Sequence, residues 1–122
     1  MPGPRLDIAV TRYENTRALF DGTVTFDGID AALHSPPIPD IFTGVAAGRF
    51  DVAELGLTHY LRALDVGTDL VALPVFPART FRHSSVFVNT TKGITGPADL
   101  VGRTIGEYGM YGQDAGIWIK GI

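Results

Sequence analysis

Cysteine is absent from the chain, which excludes disulfides and thiolate metal sites. No stretch approaches the roughly 18 apolar residues needed to span a bilayer. The opening Met1-Pro2-Gly3-Pro4-Arg5 also lacks the basic segment and long apolar run of a secretion signal. Both absences lead to the expectation of a cytoplasmic protein with no membrane partner. Positive charge is sparse: ten lysines and arginines stand against thirteen acids, the formal charge is -3, and no basic cluster is long enough to track a phosphate backbone. That argues against nucleic acid as a partner. Internal repeats and low-complexity segments are missing too.

What is present is apolar and patterned. Hydrophobic residues make up 45% of 122 residues and the mean hydropathy is +0.17, enough for a packed core in one small domain or a piece of a larger one. Strand-like runs fall at residues 6–10, 29–34, 51–55, 70–75, 85–89 and 103–107, with a short extension at 23–26. Helical spacing falls at 16–20 and at 40–48, where Ile41, Phe42, Val45 and Ala46 face inward. A third helix is capped by Thr58 and carries the stripe Tyr60, Leu61 and Leu64. The prolines at 36, 37 and 39 block regular structure between the second strand and its helix. Strands alternating with helices predict an α/β fold with a mostly parallel sheet. In such sheets ligands sit where strand carboxyl ends meet helix amino ends. Four turns fit that description, at 12–15, 36–40, 54–58 and 108–113. The final residues, 113–122, read as the opening turns of a helix whose Ile117, Trp118, Ile119 and Ile122 want a neighbour. The expectation is a chain that continues.

The densest chemistry lies at 76–89. Arg79, Thr80, Arg82, His83, Ser84 and Ser85 form a set of donors between two apolar runs, suited to an anionic group. Arg82 and Arg79 are candidates to clamp a carboxylate with paired hydrogen bonds; the plain alternative for each is a surface ion pair. Glu54 stands in the otherwise apolar Val52-Ala53-Glu54-Leu55, where a carboxylate is costly unless paired or used. A strand-end glutamate facing water is its plain alternative. Thr58 and Gln113 sit at helix amino ends, which favour anions, although simple capping explains either alone. Tyr13 and Tyr108 lie in rim turns within reach of an aromatic ring. His34 and His59 read as structural or exposed. No spacing motif supports a metal site, and metal dependence stays open.

Three blocks carry a resemblance: Arg17-Ala18-Leu19-Phe20-Asp21-Gly22, Phe50-Asp51-Val52-Ala53-Glu54-Leu55, and Pro74-Val75-Phe76-Pro77 with Phe81-Arg82-His83-Ser84-Ser85. Together they resemble the 4,5-dihydroxyphthalate decarboxylase family. Gly93-Ile94 through Pro97-Ala98-Asp99-Leu100-Val101-Gly102-Arg103-Thr104-Ile105-Gly106 is similar to the opening of the second lobe in type II periplasmic-binding-protein-like folds. The resemblance implies two α/β lobes with ligand held between them. Residues 1–89 are then part of the first lobe with a crossover strand, and 90–122 the start of the second. It implies a carboxy-lyase acting on a small anionic aromatic, with no organic cofactor motif. His83 is then a general acid for the ring carbon that loses carbon dioxide. Arg82 and Arg79 hold a carboxylate, Glu54 holds a hydroxyl, and Ser84 and Ser85 orient the substrate. Two alternatives remain at this point. One is a solute-binding protein of an importer for an anionic aromatic or thiamine-precursor-like ligand. The other is a chain that only associates with further polypeptide or a second copy of itself.

Overall fold

Residues 6–10 are nearly all apolar, the signature of a strand covered on both faces. In the computed structural model, which describes residues 3–109 and 111–121, strand β1 (Arg5–Ala9) lies between β2 (Asp30–His34) and β3 (Val52–Ala53) in a parallel sheet of order β2-β1-β3. The register runs from Arg5 opposite Asp30 to Ala9 opposite His34, and sets Ile8 and Ala9 against Val52 and Ala53. Parallel neighbours need crossover connections, and helices supply them: α1 (Arg17–Phe20) between β1 and β2, and α2 (Ile38–Ala46) between β2 and β3. Helix α3 (Leu57–Asp65) follows β3. The chain divides between Arg79 and Thr80 into two compact units, and the sheet belongs to the first.

Ile8, Ala9, Val10 and Ile41 are the buried apolar core among the described residues. Burying a side chain such as Ile41 stabilises the fold by about 1.5–3 kcal/mol. Helix α2 starts two residues earlier than its spacing suggests, with Pro39 inside the first turn. There its missing N–H breaks no helical hydrogen bond. Ile41 is buried, Phe42 and Val45 half-buried, but Ala46 is exposed. Buried Gly44 takes the inward place because the Phe50 ring lies where a Cβ would stand.

Helix α3 corrects the sequence reading twice. Its cap is Gly56, so Thr58 sits within the first turn rather than at the cap position. Tyr60 is half-buried, but Leu61 and Leu64 are 53% and 43% exposed. The helix instead turns His59 and Ala63 inward, with the His59 ring 4.7 Å from that of Phe42. The runs at 23–26, 70–75, 85–89 and 103–107 form no strand, and Val71, Val75 and Phe87 are exposed. A β-branched run becomes a strand only when a neighbour offers a ladder. Among the described residues none is alongside.

The second unit contains 3-10 turns at Arg82–Ser85, Thr90–Lys92 and Pro97–Leu100, and helix α4 (Asp114–Lys120). The expected terminal helix is therefore present. Ile117 and Trp118 on it are exposed and Ile119 is half-buried; Ile122 lies outside the described residues. Gly93, at φ 66°, turns the chain out of the second 3-10 segment, a conformation that favours glycine. Asp99 organises the third: its Oδ2 accepts hydrogen bonds from the Thr95 N–H and hydroxyl, both at 2.8 Å, and from the Gly96 N–H at 3.0 Å. Among the described residues no helix is long and apolar enough to cross a membrane.

Two measurements test this packing. Gly44→Ala should lower the melting temperature, because overpacking costs about 1–3 kcal/mol against a helix-propensity gain of about 1 kcal/mol. A variant as stable as the parent would show that Phe50 is not seated on Gly44. The bonds from Thr95, backbone first, hold the Asp99 carboxyl below its ordinary 3.8. Its stabilising effect is therefore full at neutral pH and fades as pH falls from about 3.8 through the lower folded value. An NMR titration should give Asp99 a midpoint below 3.8; a midpoint at or above that value rules the cap out.

Candidate active site

All three strands point the same way, so the loops leaving their carboxyl ends share one edge of the sheet. Side-chain hydrogen bonds tie these loops together. Val10 extends the ladder one step, its N–H donating to the His34 carbonyl at 3.0 Å. The chain then folds back at residues 11–16. Thr16, only 8% exposed, closes this loop. Its hydroxyl donates to the Thr11 carbonyl at 2.7 Å and accepts from the Tyr13 N–H at 2.8 Å. Arg12 N–H donates to Ser35 Oγ at 3.1 Å, which joins the loop to the one after β2.

Glu54 makes the third connection. Its N–H continues the β3 ladder to the Ala9 carbonyl at 2.8 Å, so its side chain leaves the sheet at a fixed point. The carboxylate then takes both donors the first loop offers: Thr11 N–H to Oε2 at 3.0 Å and the Tyr13 hydroxyl to Oε1 at 2.6 Å. The phenol–carboxylate bond is short and charge-assisted, and hydrogen bonds to charged groups contribute about 1.5–3 kcal/mol. A carboxylate has about four lone-pair sites, so Glu54 keeps acceptor capacity while held in place. Thr11 Oγ1, beside it in sequence, is buried without a hydrogen-bond partner among the described residues.

Of the residues singled out from sequence, Glu54 and Tyr13 are brought into direct contact. Arg79 is exposed at the end of the first unit, its Nε donating to the Phe76 carbonyl at 3.1 Å. Thr58 is half-buried on α3. In the second unit Arg82, His83, Ser84 and Ser85 share a single 3-10 turn. Residues i and i+3 eclipse in that geometry, which aligns Arg82 with Ser85. The Ser84 hydroxyl donates to the Phe81 carbonyl at 2.7 Å. Gln113 occupies the cap position of α4 without a side-chain cap bond. Its amide donates to the Tyr108 carbonyl instead, bringing those two residues together, with the Tyr108 side chain out in solvent at 96% exposure.

Thr11, Asn15, Thr16 and Ser35 were not singled out as site residues. Their only sequence signal is that each is a short polar side chain in a loop that follows a strand. A separate hollow of about 550 Å³ lies between α2 and α3, lined by Phe42, Val45, Leu55, His59, Ala63 and Leu70 among others. It holds none of the predicted site residues. Among the described residues no group of three or more histidine, aspartate or glutamate side chains is placed to hold a metal ion.

A parallel sheet with its polar loops interlocked along one edge makes the first unit an α/β domain, and in such sheets ligands bind at that edge. No family model matches the chain. Individual proteins do. Over 120 residues, 95% of its length, it is 40% identical to a protein of Comamonas testosteroni named 4,5-dihydroxyphthalate decarboxylase. Over 119 residues, 94% of its length, it is 37% identical to a protein of the same name from Pseudomonas putida. The relatives of this chain are thus 4,5-dihydroxyphthalate decarboxylases, as the sequence blocks suggested. The chain spans 36% and 45% of the length of these two proteins.

If Glu54 and Tyr13 latch the loops as a pair, Tyr13→Phe and Glu54→Gln should each lower stability, by about 1 and 1.5–3 kcal/mol respectively. The double variant should lose less than the sum, with a coupling of at least about 0.5 kcal/mol in urea unfolding. Strict additivity would mean the two side chains do not meet.

Proposed function

We propose that the chain supplies part of the active site of a carboxy-lyase acting on a dihydroxylated aromatic dicarboxylate. For 4,5-dihydroxyphthalate the products are a dihydroxybenzoate and carbon dioxide. The observation that carries this reading is the Glu54–Tyr13 latch on the carboxyl edge of the sheet, in a chain whose relatives bear that activity's name along almost all of its length. Neither relative's name speaks of transport. The finer architecture that goes with this reading is the type II periplasmic-binding-protein-like one, in the cytoplasm. Residues 1–89 then belong to the first lobe and 90–122 open the second.

The chemistry assigns the roles. One ring hydroxyl stands para to the carbon that loses its carboxylate. Electron density drawn from that hydroxyl makes the carbon basic enough to take a proton. Glu54, with Tyr13 beside it, holds this hydroxyl. His83 delivers a proton to the ring carbon; the bond to the carboxylate then breaks, its electron pair returns to the ring and carbon dioxide departs. Arg82, with Arg79, holds the retained carboxylate, a task for which a planar guanidinium suits better than an ammonium. Ser84 and Ser85 orient the ring substituents. Thr58, Gln113 and Tyr108 complete the surroundings of an anionic aromatic. No organic cofactor takes part in these steps.

A chimera tests the reading: this chain replaces the matched region of the Comamonas testosteroni relative, and carbon dioxide release from 4,5-dihydroxyphthalate is followed. Release is expected. His83→Ala should lower kcat by roughly 10²–10⁴, the range for a lost general acid. Arg82→Ala should raise KM about tenfold to a hundredfold, matching 1.5–3 kcal/mol for a charged hydrogen bond. A folded chimera without turnover would sink the activity, and full turnover in both variants would sink the role assignments.

A further inference from the structure

We infer that Asn15 is a positioning residue which sets the place of Arg79 relative to the Glu54–Tyr13 latch, and so tunes preference for ligands that carry carboxylates. This rests on the function proposed above. The observation is a hydrogen bond between distant parts of the first unit: Asn15 Nδ2 donates to the Pro77 carbonyl at 3.0 Å. Asn15 lies two residues beyond Tyr13, in the loop that Thr16 closes and Glu54 latches. Pro77 lies two residues before Arg79, in a turn that Arg79 tightens by donating from Nε to the Phe76 carbonyl.

Residues 70–79 have no ladder bonds to hold them. A segment without such bonds opens locally at low cost, and a single anchor then decides where its end lies. Asn15 is suited to that task. A primary amide donates to a carbonyl, whereas a carboxylate at the same place repels one. Arg79 makes no ion pair among the described residues, so the anchored turn carries a cation whose charge is not already satisfied by an acid. Anchor and cation together place a carboxylate-binding group a fixed distance from a hydroxyl-binding one.

The test uses the intact chain, with Asn15→Ala and Asn15→Asp as variants and circular dichroism to confirm that both fold. Trypsin cleavage after Arg79 reports the anchor without reference to any ligand. Both variants should be cut at least several-fold faster there, Asn15→Asp the more so. Calorimetric binding of phthalate, which has carboxylates and no hydroxyls, is compared with that of catechol, which has hydroxyls and no carboxylates. Asn15→Ala should weaken phthalate about tenfold and leave catechol unchanged. Unaltered cleavage after Arg79 overturns the anchor. Faster cleavage with equal losses for both ligands overturns the tuning of preference. If the parent chain binds neither compound, the reading of the site fails, while the cleavage rates still decide the anchor.

Discussion

A carboxylate that leaves a sheet half-buried must find donors or carry a heavy desolvation penalty. Glu54 is that carboxylate, and the rest of the rim follows from how it is satisfied. Its backbone is pinned to Ala9 by the last rung of the β1–β3 ladder, so the side chain has little choice of direction. The donors within reach belong to the neighbouring loop, the Thr11 N–H and the Tyr13 hydroxyl. For both to reach, the loop must double back immediately after Val10, and buried Thr16 holds it in that shape from inside. One charge thereby fixes the conformation of a loop more than forty residues away in the chain.

The first unit was legible where local pattern and tertiary setting agree. A run apolar at every position but Asp7, residues 6–10, reads as a covered strand, and it is the central one. Glycine closes the turns before β2 and after α3, taking a positive φ of 76° at Gly28 and 78° at Gly67. Residues 70–75, 85–89 and 103–107 misled for a single reason. An apolar run states a demand for burial, not which neighbour meets it, and strand formation needs the neighbour. Helix α3 misled differently: leucines mark an apolar stripe, but an imidazole tilted against the Phe42 ring claimed the inward face.

The site was legible by residue type rather than by partnership. Glu54 stands out because a carboxylate in Val52-Ala53-Glu54-Leu55 needs a reason, and Tyr13 because it sits at a strand's end. That the two would bond follows only from the parallel order that makes β1 and β3 neighbours. Thr16 and Ser35 had no such mark. Short hydroxyl side chains occur in every loop, and which of them close hydrogen bonds depends on backbone geometry that a linear pattern does not contain. Arg82 to Ser85 differ in that they are consecutive in sequence and share one 3-10 turn, so adjacency in the chain already groups them.

The charge on Glu54 also bears on how a dianionic ring would bind on the proposed reading. A flat aromatic with hydroxyls at one end and carboxylates at the other can enter in two senses. With its hydroxyl end at Glu54 the ring donates into remaining lone pairs of a carboxylate already held rigid. With its carboxylate end there, two like charges about 4 Å apart repel by about 4 kcal/mol at an effective dielectric near 20, close to a thousandfold in population. Attraction to arginine alone leaves the hydroxyl end free to swing. On that reading, repulsion from Glu54 disfavours the reversed pose by the same factor, and one misplaced-looking acid in an apolar strand would contribute specificity as well as shape.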